Sequence, residues 1–272
     1  MWRTRVEVVT ITRIVEPRPT PGLKAGGAGA GRSGTILRRP VTSASVSTVE
    51  AMCGRFTNGA DPDAVIKAYS LDIPFDWRPR FNIAPGQSML GVRRGEDGAD
   101  EAALLRFGLI PAWAKDRKLA YKMINARAET LTERPAYRSL LRTGRCLIVA
   151  DGFYEWRVMP DGSKQPVRFS LLDREVFGFA GLWARWIDRE SGEAIESATI
   201  ITTSANGLVA PVHDRMPAIL GDQAEEDWLD PAVTPKHALS LLRTYPAGLM
   251  TAALASPAVN SVRNDSPELL VA

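Results

Sequence analysis

The sequence predicts an α+β fold in which a curved, mostly antiparallel sheet or partly closed β-barrel is flanked by helices. Many strand-like runs follow one another around short turns that contain Gly and Asp, as they do in hairpins. Short helical patterns are interspersed among these hairpins, and the two observations together are typical of an α+β domain. The chain has 272 residues and no internal repeat, which is enough for one large domain with an ample core.

The first elements can be assigned from caps and turns. "DPDAVIKAYS" has an Asp N-cap, a proline in the first turn and helical apolar spacing, so it predicts a short helix. "SMLGVRRGEDGADEAALLRFGLI" predicts two strands around a Gly/Asp turn, and "LTERPAYRSLLRTG" predicts an amphipathic helix that ends at Gly144.

The later elements are mostly strands. "RCLIVADGFYEWRVMPDGSKQPVRFSLL" and "EVFGFAGLWARWIDRESGEAIESATIITTSA" predict at least four strands, with "PDG" and "ESGE" as turns. Three further helices are predicted at "NGLVAPVH", "GDQAEEDWLD" and "TPKHALSLLRTY".

Composition excludes several classes of protein. Two cysteines in so long a chain are not a disulfide framework, which favours a reducing, cytoplasmic environment. No apolar run reaches the ~18 to 20 residues that a membrane-spanning helix needs. Neither the cysteines nor the histidines have the spacing of metal ligands, so we expect no metal.

The net charge of +3 is unevenly distributed. Residues 1–51 contain eight basic and three acidic residues, which leaves 26 basic and 28 acidic residues for the remainder. The remainder therefore lacks the overall positive charge that is typical of nucleic-acid-binding proteins, and any such site has to be a local patch.

Residues 1–51 also differ in composition. "PRPTPGLKAGGAGAGRSG" is rich in Pro, Gly and Ala without an apolar period, so we expect a disordered leader. A secretory signal does not fit, because "VEVVTITRIV" is interrupted by Glu7 and Arg13. Upstream codons read from a misassigned start, a leader that is removed, and an organelle transit peptide remain open.

Four polar residues are candidates for chemistry: Cys53 in "AMCGRF", Asn125 in "MINARAET", Glu155 in "GFYEW" and His213 in "APVHDRMP". Each also has a structural interpretation. A lone cysteine is often a small buried hydrophobe, as we expect for Cys146, and a histidine is often a hydrogen-bonded structural group. Glu155 could face water from its strand, and Asn125 could cap a turn.

Seven motifs in order resemble one family: "MCGRF", "FNIAPGQ", "FGLIPAWA", "NARAET", "DGFYEW", "HDRMP" and "VNSVRND". The chain resembles the SOS-response-associated peptidase family of abasic-site processing proteins. The resemblance covers most of residues 52–272 and implies that these form a catalytic and DNA-binding domain. It also implies that Met52 is the initiator and that Cys53 becomes the N-terminal residue of the active protein.

The resemblance implies a covalent reaction at Cys53. An α-amine has a pKa of roughly 7.7 to 8.0, so part of it is an uncharged nucleophile near neutral pH. The amine can attack the aldehyde of a ring-opened abasic deoxyribose to form a Schiff base, and the thiol can then close a thiazolidine. An internal cysteine cannot react in this way, because its nitrogen is in a peptide bond.

The other catalytic roles are implied by the same motifs. Glu155, walled by aromatic rings, is expected to have a raised pKa and to transfer protons. Asn125 is expected to orient the amine or a substrate oxygen. His213 is expected to promote opening of the sugar ring and reversal of the adduct.

The implied partner is single-stranded DNA that contains abasic sites, bound by a monomer without a cofactor, in the cytoplasm and at the nucleoid when on DNA. Arg55 and Arg127 are the candidate phosphate contacts. Pro85, Phe107 and Trp113 are the candidate wedge that splays the bases, although core packing is an equal alternative for Phe107 and Trp113.

Two positions depart from the family pattern. Phe107 stands where tryptophan is usual, and Val262 stands where proline is common. Two other functions stay open beside covalent capture: a self-processing cysteine peptidase or N-terminal-nucleophile hydrolase, and a non-catalytic DNA-binding module.

Overall fold

The computed structural model describes residues 54–271, which form a mixed α+β fold of twelve strands and five α-helices. The expected leader, residues 1–51, and Cys53 lie outside the described residues. No helix in the described part is long and apolar enough to cross a membrane. The strands are β1 (Phe56–Asn58), β2 (Arg80–Ile83), β3 (Ser88–Arg94), β4 (Asp100–Phe107), β5 (Asn125–Arg127), β6 (Arg145–Ala150), β7 (Gly152–Val158), β8 (Lys164–Leu171), β9 (Phe177–Ile187), β10 (Ala194–Ser204), β11 (Arg215–Pro217) and β12 (Met250–Leu254). The helices are α1 (Pro62–Tyr69), α2 (Pro135–Arg138), α3 (Leu140–Thr143), α4 (Asp222–Leu229) and α5 (Pro235–Leu241).

Five strands close into a small barrel. The pairing runs β10–β4–β3–β6–β9, and β9 pairs again with β10 over seven residues from Ala194 to Ile200. Only the β4–β10 pairing among these is parallel. The short strands β5 and β11 also pair with β10. The predicted partly closed, mostly antiparallel barrel is therefore confirmed.

The other five strands form a second sheet in the order β12–β8–β7–β1–β2. Every pairing in this sheet is antiparallel. A cluster of buried aromatic residues joins it to the barrel, with Phe56 and Phe153 from the sheet packed against Phe179 from β9 at ring-centroid distances of 5.8 and 6.2 Å. Burial of these rings is the main attraction between the two layers.

The helices cover the outer face of the barrel. Alternate residues of its strands, such as Leu90, Leu147 and Leu182, pack in one cluster with Trp228 of α4. The residues between them, such as Leu105 and Ile148, pack in the aromatic cluster. Because successive strand residues point to opposite faces, the barrel wall is buried on both sides.

The helix predictions had mixed results. Helix α1 begins after Asp61, whose side chain accepts the Asp63 N–H, as the capping pattern predicts. The predicted helix before Gly144 is instead two short helices, α2 and α3. The helix predicted at "NGLVAPVH" is wrong: these residues form turns, in which Asn206 Oδ1 accepts two backbone N–H groups.

Candidate active site

The first described residues of the chain lie between β2 and β7. Phe56 pairs with Ile83 on one side and with Phe153 on the other, both antiparallel. The Arg55 carbonyl accepts the Tyr154 N–H at 3.0 Å. Continuing the β1–β7 register by one residue beyond Arg55 and Tyr154 aligns Gly54 with Glu155, whereas β2 ends at Ile83 and the chain turns at Pro85.

Glu155 is buried, with 3% of its surface exposed. Its neighbours on β7 are both anchored. Tyr154 Oη donates to the Phe81 carbonyl at 3.0 Å, and burial raises the pKa of Tyr154 to about 12, so the phenol stays a neutral donor. Trp156 Nε1 donates to Asn260 Oδ1 at 2.6 Å. The backbone that carries Glu155 is thereby fixed on both sides. Because successive strand residues point to opposite faces, Tyr154 and Trp156 face away from the Glu155 side chain and pack with Val259, which corrects the prediction that these two rings wall Glu155.

Asn125 lies on β5, opposite Ile200 of β10. Its Nδ2 makes a long hydrogen bond, 3.4 Å, to the Ile200 carbonyl. Its Oδ1 is buried and has no hydrogen-bond partner among the described residues. A buried amide oxygen without a donor is costly, so this atom is suited to accept a hydrogen bond from a ligand or from the chain terminus.

His213 lies in the turn before β11, and 16% of its side chain is exposed. Its Nδ1 accepts the Arg215 backbone N–H at 3.0 Å, and Asp214 Oδ1 lies 3.2 Å from the same nitrogen. A ring nitrogen either carries a proton and donates or carries a lone pair and accepts. Because the Arg215 backbone N–H can only donate, we assign Nδ1 as an unprotonated acceptor. The neutral ring then carries its proton on Nε2 and can donate it.

An ion pair joins the motif of Asn125 to the motif of His213. Arg215 donates to both carboxylate oxygens of Glu129, at 2.8 and 2.9 Å, and also to the buried Thr202 carbonyl at 2.6 Å. The Arg215 guanidinium lowers the pKa of Glu129. This bidentate contact fixes the relative position of two segments that are 86 residues apart.

A second polar network holds β1 in place. The Asp151 carboxylate accepts a hydrogen bond from the Thr57 hydroxyl and another from the Gly59 N–H at 3.1 Å. Arg168 lies 3.3 Å from the same carboxylate and donates to the Asp151 carbonyl at 2.9 Å. The network fixes the position of β1, and therefore of Gly54, relative to β7.

The candidate catalytic segments converge on one core. Phe56, Ile124, Phe153 and Val212 all contact the same aromatic cluster, and each is within three residues of a candidate. The segments that carry Asn125, Glu155 and His213 thus pack against the same cluster. Cys53 precedes Gly54 in the chain but is not described, so its position and all four catalytic assignments stay predictions.

The second cysteine is structural. Cys146 lies inside β6 and is fully buried, and this burial raises the pKa of its thiol. A buried thiol of this kind is inert as a nucleophile. Within residues 54–271, no three His, Cys, Asp or Glu side chains are grouped so that they could hold a metal ion.

The predicted DNA contacts differ in accessibility. Trp113 is 59% exposed, Arg127 is exposed and Pro85 is partly exposed, so all three remain candidates. Phe107 is fully buried, and its ring contacts that of Phe56 edge-on at 5.7 Å. This burial corrects the prediction that Phe107 stacks on bases: its ring is part of the core.

Arg55 has protein partners in this structure. Its Nη1 donates to Asn82 Oδ1 at 2.8 Å and to the Val259 carbonyl at 2.7 Å, and its guanidinium lies 5.9 Å from the Trp156 ring. Partial burial lowers its pKa. Arg55 therefore attaches the C-terminal segment to β2, and its contact with phosphate stays a prediction.

Several residues that shape the site were not singled out from the sequence. Asn82 donates to three carbonyls of the C-terminal segment, at 2.8 to 3.1 Å. The residues that were missed are Asn82, Glu129, Asp151, Arg168 and Arg215. All but Arg168 lie inside a quoted motif, and this position was the only signal in the sequence; Arg168 lies in the predicted strand "QPVRFSLL" and had no signal.

A known protein family matches most of this chain. The family model described as "SOS response associated peptidase (SRAP)" matches residues 52–262. The chain belongs to the SRAP family. The SRAP match begins at Met52, immediately before Cys53, and the resemblance seen in the motifs is confirmed.

The bacterial relative is similar over nearly its whole length, and the vertebrate relative over about two thirds of its length. The "Abasic site processing protein YoqW" of Bacillus subtilis is 46% identical over 224 residues, which cover 80% of this chain and 99% of the relative. The "Abasic site processing protein HMCES" of Gallus gallus is 36% identical over 225 residues, covering 72% of this chain and 66% of the relative. A crystal structure of a Bacteroides thetaiotaomicron protein matches with a TM-score of 0.72 and 26% identity, over 80% of this chain and 98% of that protein.

Proposed function

We propose that the protein processes abasic sites in single-stranded DNA by forming a covalent thiazolidine through the amine and thiol of an N-terminal Cys53. The relatives named abasic site processing proteins support the substrate. The observation that carries the proposal is the position of Gly54, the residue after Cys53, which the β1–β7 register aligns with the buried Glu155.

The reaction is a condensation that releases one water. The α-amine adds to the aldehyde carbon of the ring-opened sugar, and loss of water gives the imine. The thiol then adds across the C=N bond, so a C–S bond forms and the thiol proton passes to nitrogen. Glu155 protonates the departing hydroxyl and accepts the proton of the attacking amine.

Asn125 and His213 assist without reacting. The unsatisfied Asn125 Oδ1 accepts a hydrogen bond from the amine and aims its lone pair at the aldehyde. His213, with its Nδ1 engaged by the Arg215 N–H, offers Nε2–H to the sugar oxygens during ring opening. Neither role adds a positive charge beside an amine that has to stay unprotonated.

The test is incubation of protein that begins at Cys53 with a single-stranded oligonucleotide carrying one abasic site. We expect an adduct that survives heat and SDS in the wild-type protein and is absent in Cys53→Ala. Cys146→Ala is the matched control and should form the adduct normally, because its thiol is buried. A wild-type protein that forms no adduct would refute the proposal.

Glu155→Gln is expected to slow adduct formation roughly 100- to 10,000-fold, the usual contribution of a general acid–base. Its affinity for an undamaged strand should stay unchanged, because the side chain is buried and not a phosphate contact. Single-turnover rates at saturating DNA and a binding titration check the two quantities. Equal losses of rate and affinity would mean that Glu155 has only a structural role.

Self-processing peptidase activity is the second candidate, because the family model carries that description and because residues 1–52 precede Cys53. In this role the Cys53 thiol attacks the Met52 carbonyl, so that a thioester forms as the C–N bond to Cys53 breaks. Water then hydrolyses the thioester and releases the leader, with Glu155 and His213 as the acid–base pair. Intact mass separates the two functions. A leader that is removed from the wild type but kept in Cys53→Ala supports processing, and a leader kept in both excludes it.

A further inference from the structure

A groove on the outer face of the barrel begins directly behind the Pro85 turn. Its volume is about 610 Å³. Arg106 of β4 and the segment after Trp113 form one wall, which contributes Arg117, Lys118 and Tyr121. We call it the Arg106 groove. None of these four residues takes part in the catalytic chemistry proposed above.

The groove is connected to the active site by the turn between β2 and β3. Gly86 follows Pro85 and has a φ of 87°, a conformation that favours glycine. A Cβ atom at Gly86 would lie 3.2 Å from Arg106 Nη2 and 3.4 Å from Tyr121 Oη. The guanidinium and the phenol are therefore neighbours, one residue beyond the predicted wedge at Pro85.

Arg106 has no counter-ion among residues 54–271. Its Nε is buried without a hydrogen-bond partner among the described residues. Leaving a charged donor unsatisfied and partly desolvated is unfavourable, so the group is suited to bind an anion. Of the acidic residues on the opposite wall, Glu196 already pairs with Arg93 at 3.0 Å, and Glu193 is exposed.

The same wall offers an aromatic surface. Tyr121 is 59% exposed, as is Trp113 on the same segment, and Arg117 and Lys118 are both exposed. A row of cations interleaved with exposed rings is the usual composition of surfaces that bind single-stranded nucleic acid, because cations contact phosphates and rings stack on bases. The positive charge is confined to this wall, as expected for a local patch on a domain whose basic and acidic residues nearly balance.

We propose that the Arg106 groove is a subsite for the nucleotides that flank the abasic site, with Arg106 bound to a backbone phosphate and Tyr121 stacked on a base. This inference rests on the proposed function for the identity of its ligand. The strand passes over Pro85 and Gly86 into the groove. Arg117 and Lys118 attract the next phosphates along the strand.

The test measures affinity against strand length. Undamaged single strands share one short central sequence, which is extended on the 5′ side alone or on the 3′ side alone. Fluorescence anisotropy measures the binding of each strand to the wild-type protein. We expect one extension to tighten binding about 5- to 100-fold, the usual effect of one stacked base and one phosphate contact. In Arg106→Gln/Tyr121→Ala this extension should add nothing, while the short strand binds as it does to the wild type.

Salt dependence and a matched control make the result specific. Arg106→Gln should lower the slope of log affinity against log salt by about 0.7, the value for one phosphate of a single strand. Arg142→Ala removes an exposed arginine that does not line the groove, and it should leave the slope unchanged. Thermal melting confirms that each variant is folded.

The outcomes separate this inference from the proposed function. Equal gains from strand extension in the wild type and in the double variant would overturn the subsite. Because this binding uses undamaged DNA, it can be judged even if no covalent adduct forms. A wild type that captures abasic DNA but gains no affinity from either extension would keep the proposed function and reject the groove.

Discussion

Protein that retains residues 1–51 is expected to form no heat- and SDS-stable adduct with an abasic single strand, whereas protein that begins at Cys53 forms one. The reason is chemical, because the nitrogen of an internal cysteine is an amide and cannot form a Schiff base. The thiol alone gives at most a reversible hemithioacetal. Gel analysis of the two proteins under identical conditions measures the difference.

A third protein, with a single glycine before Cys53, separates chemistry from steric hindrance. It places almost no bulk at the site but converts the amine to an amide, so we expect it to be as inactive as the long form. An adduct that forms at the normal rate with either extended protein, with its extension intact by mass, would contradict the proposed reaction.

Phe107→Ala is expected to lower the free energy of unfolding by about 3 to 5 kcal/mol, the usual cost of removing a buried phenylalanine ring. Phe107 is fully buried and packs edge-on against Phe56, so the cavity would open between the barrel and the second sheet. Urea denaturation measures the loss.

Trp113→Ala is the matched comparison. Trp113 is 59% exposed, so its removal should change stability by less than about 0.5 kcal/mol and weaken binding to single strands by about 5- to 150-fold. A Phe107→Ala protein of normal stability, or one that loses affinity while Trp113→Ala does not, would restore Phe107 to the wedge and remove it from the core.

Local patterns in the sequence predicted the elements that depend on neighbouring residues. The cap at Asp61 and the hairpin turn between β3 and β4 are fixed within a few positions, and both occur where expected. "NGLVAPVH" failed because Pro211 has no N–H, so the helical hydrogen bonds from Ala210 to Asn206 and from His213 to Val209 do not join into a continuous series.

The contacts that shape the site are long-range and leave no local pattern. Arg215 and Glu129 are 86 residues apart, and Asn82 and Val259 are 177 apart. The parallel pairing of β4 with β10 that helps to close the barrel is equally remote. The resemblance of the motifs identified Asn125, Glu155 and His213 as candidates. Only the fold shows the Arg215–Glu129 ion pair and the Asn82 hydrogen bonds around them.

The burial of Phe107 and the exposure of Trp113 distinguish two roles that the motif alone did not separate. Phe107 and Trp113 belong to one motif, "FGLIPAWA", and both had core packing as an alternative. The structure separates them, because β4 directs Phe107 into the aromatic cluster while Trp113 lies on the segment beyond the strand. Residue type and spacing cannot make this distinction when a large apolar ring suits either role.

The most direct test of the account is peptide mapping of the adduct by mass spectrometry. After nuclease and protease digestion, we expect the sugar fragment on the peptide that begins at Cys53. Its mass should equal the peptide plus the aldehyde minus one water, without reduction by borohydride. A fragment attached to an internal lysine or to Cys146, or an adduct that survives only after borohydride, would contradict thiazolidine formation at Cys53.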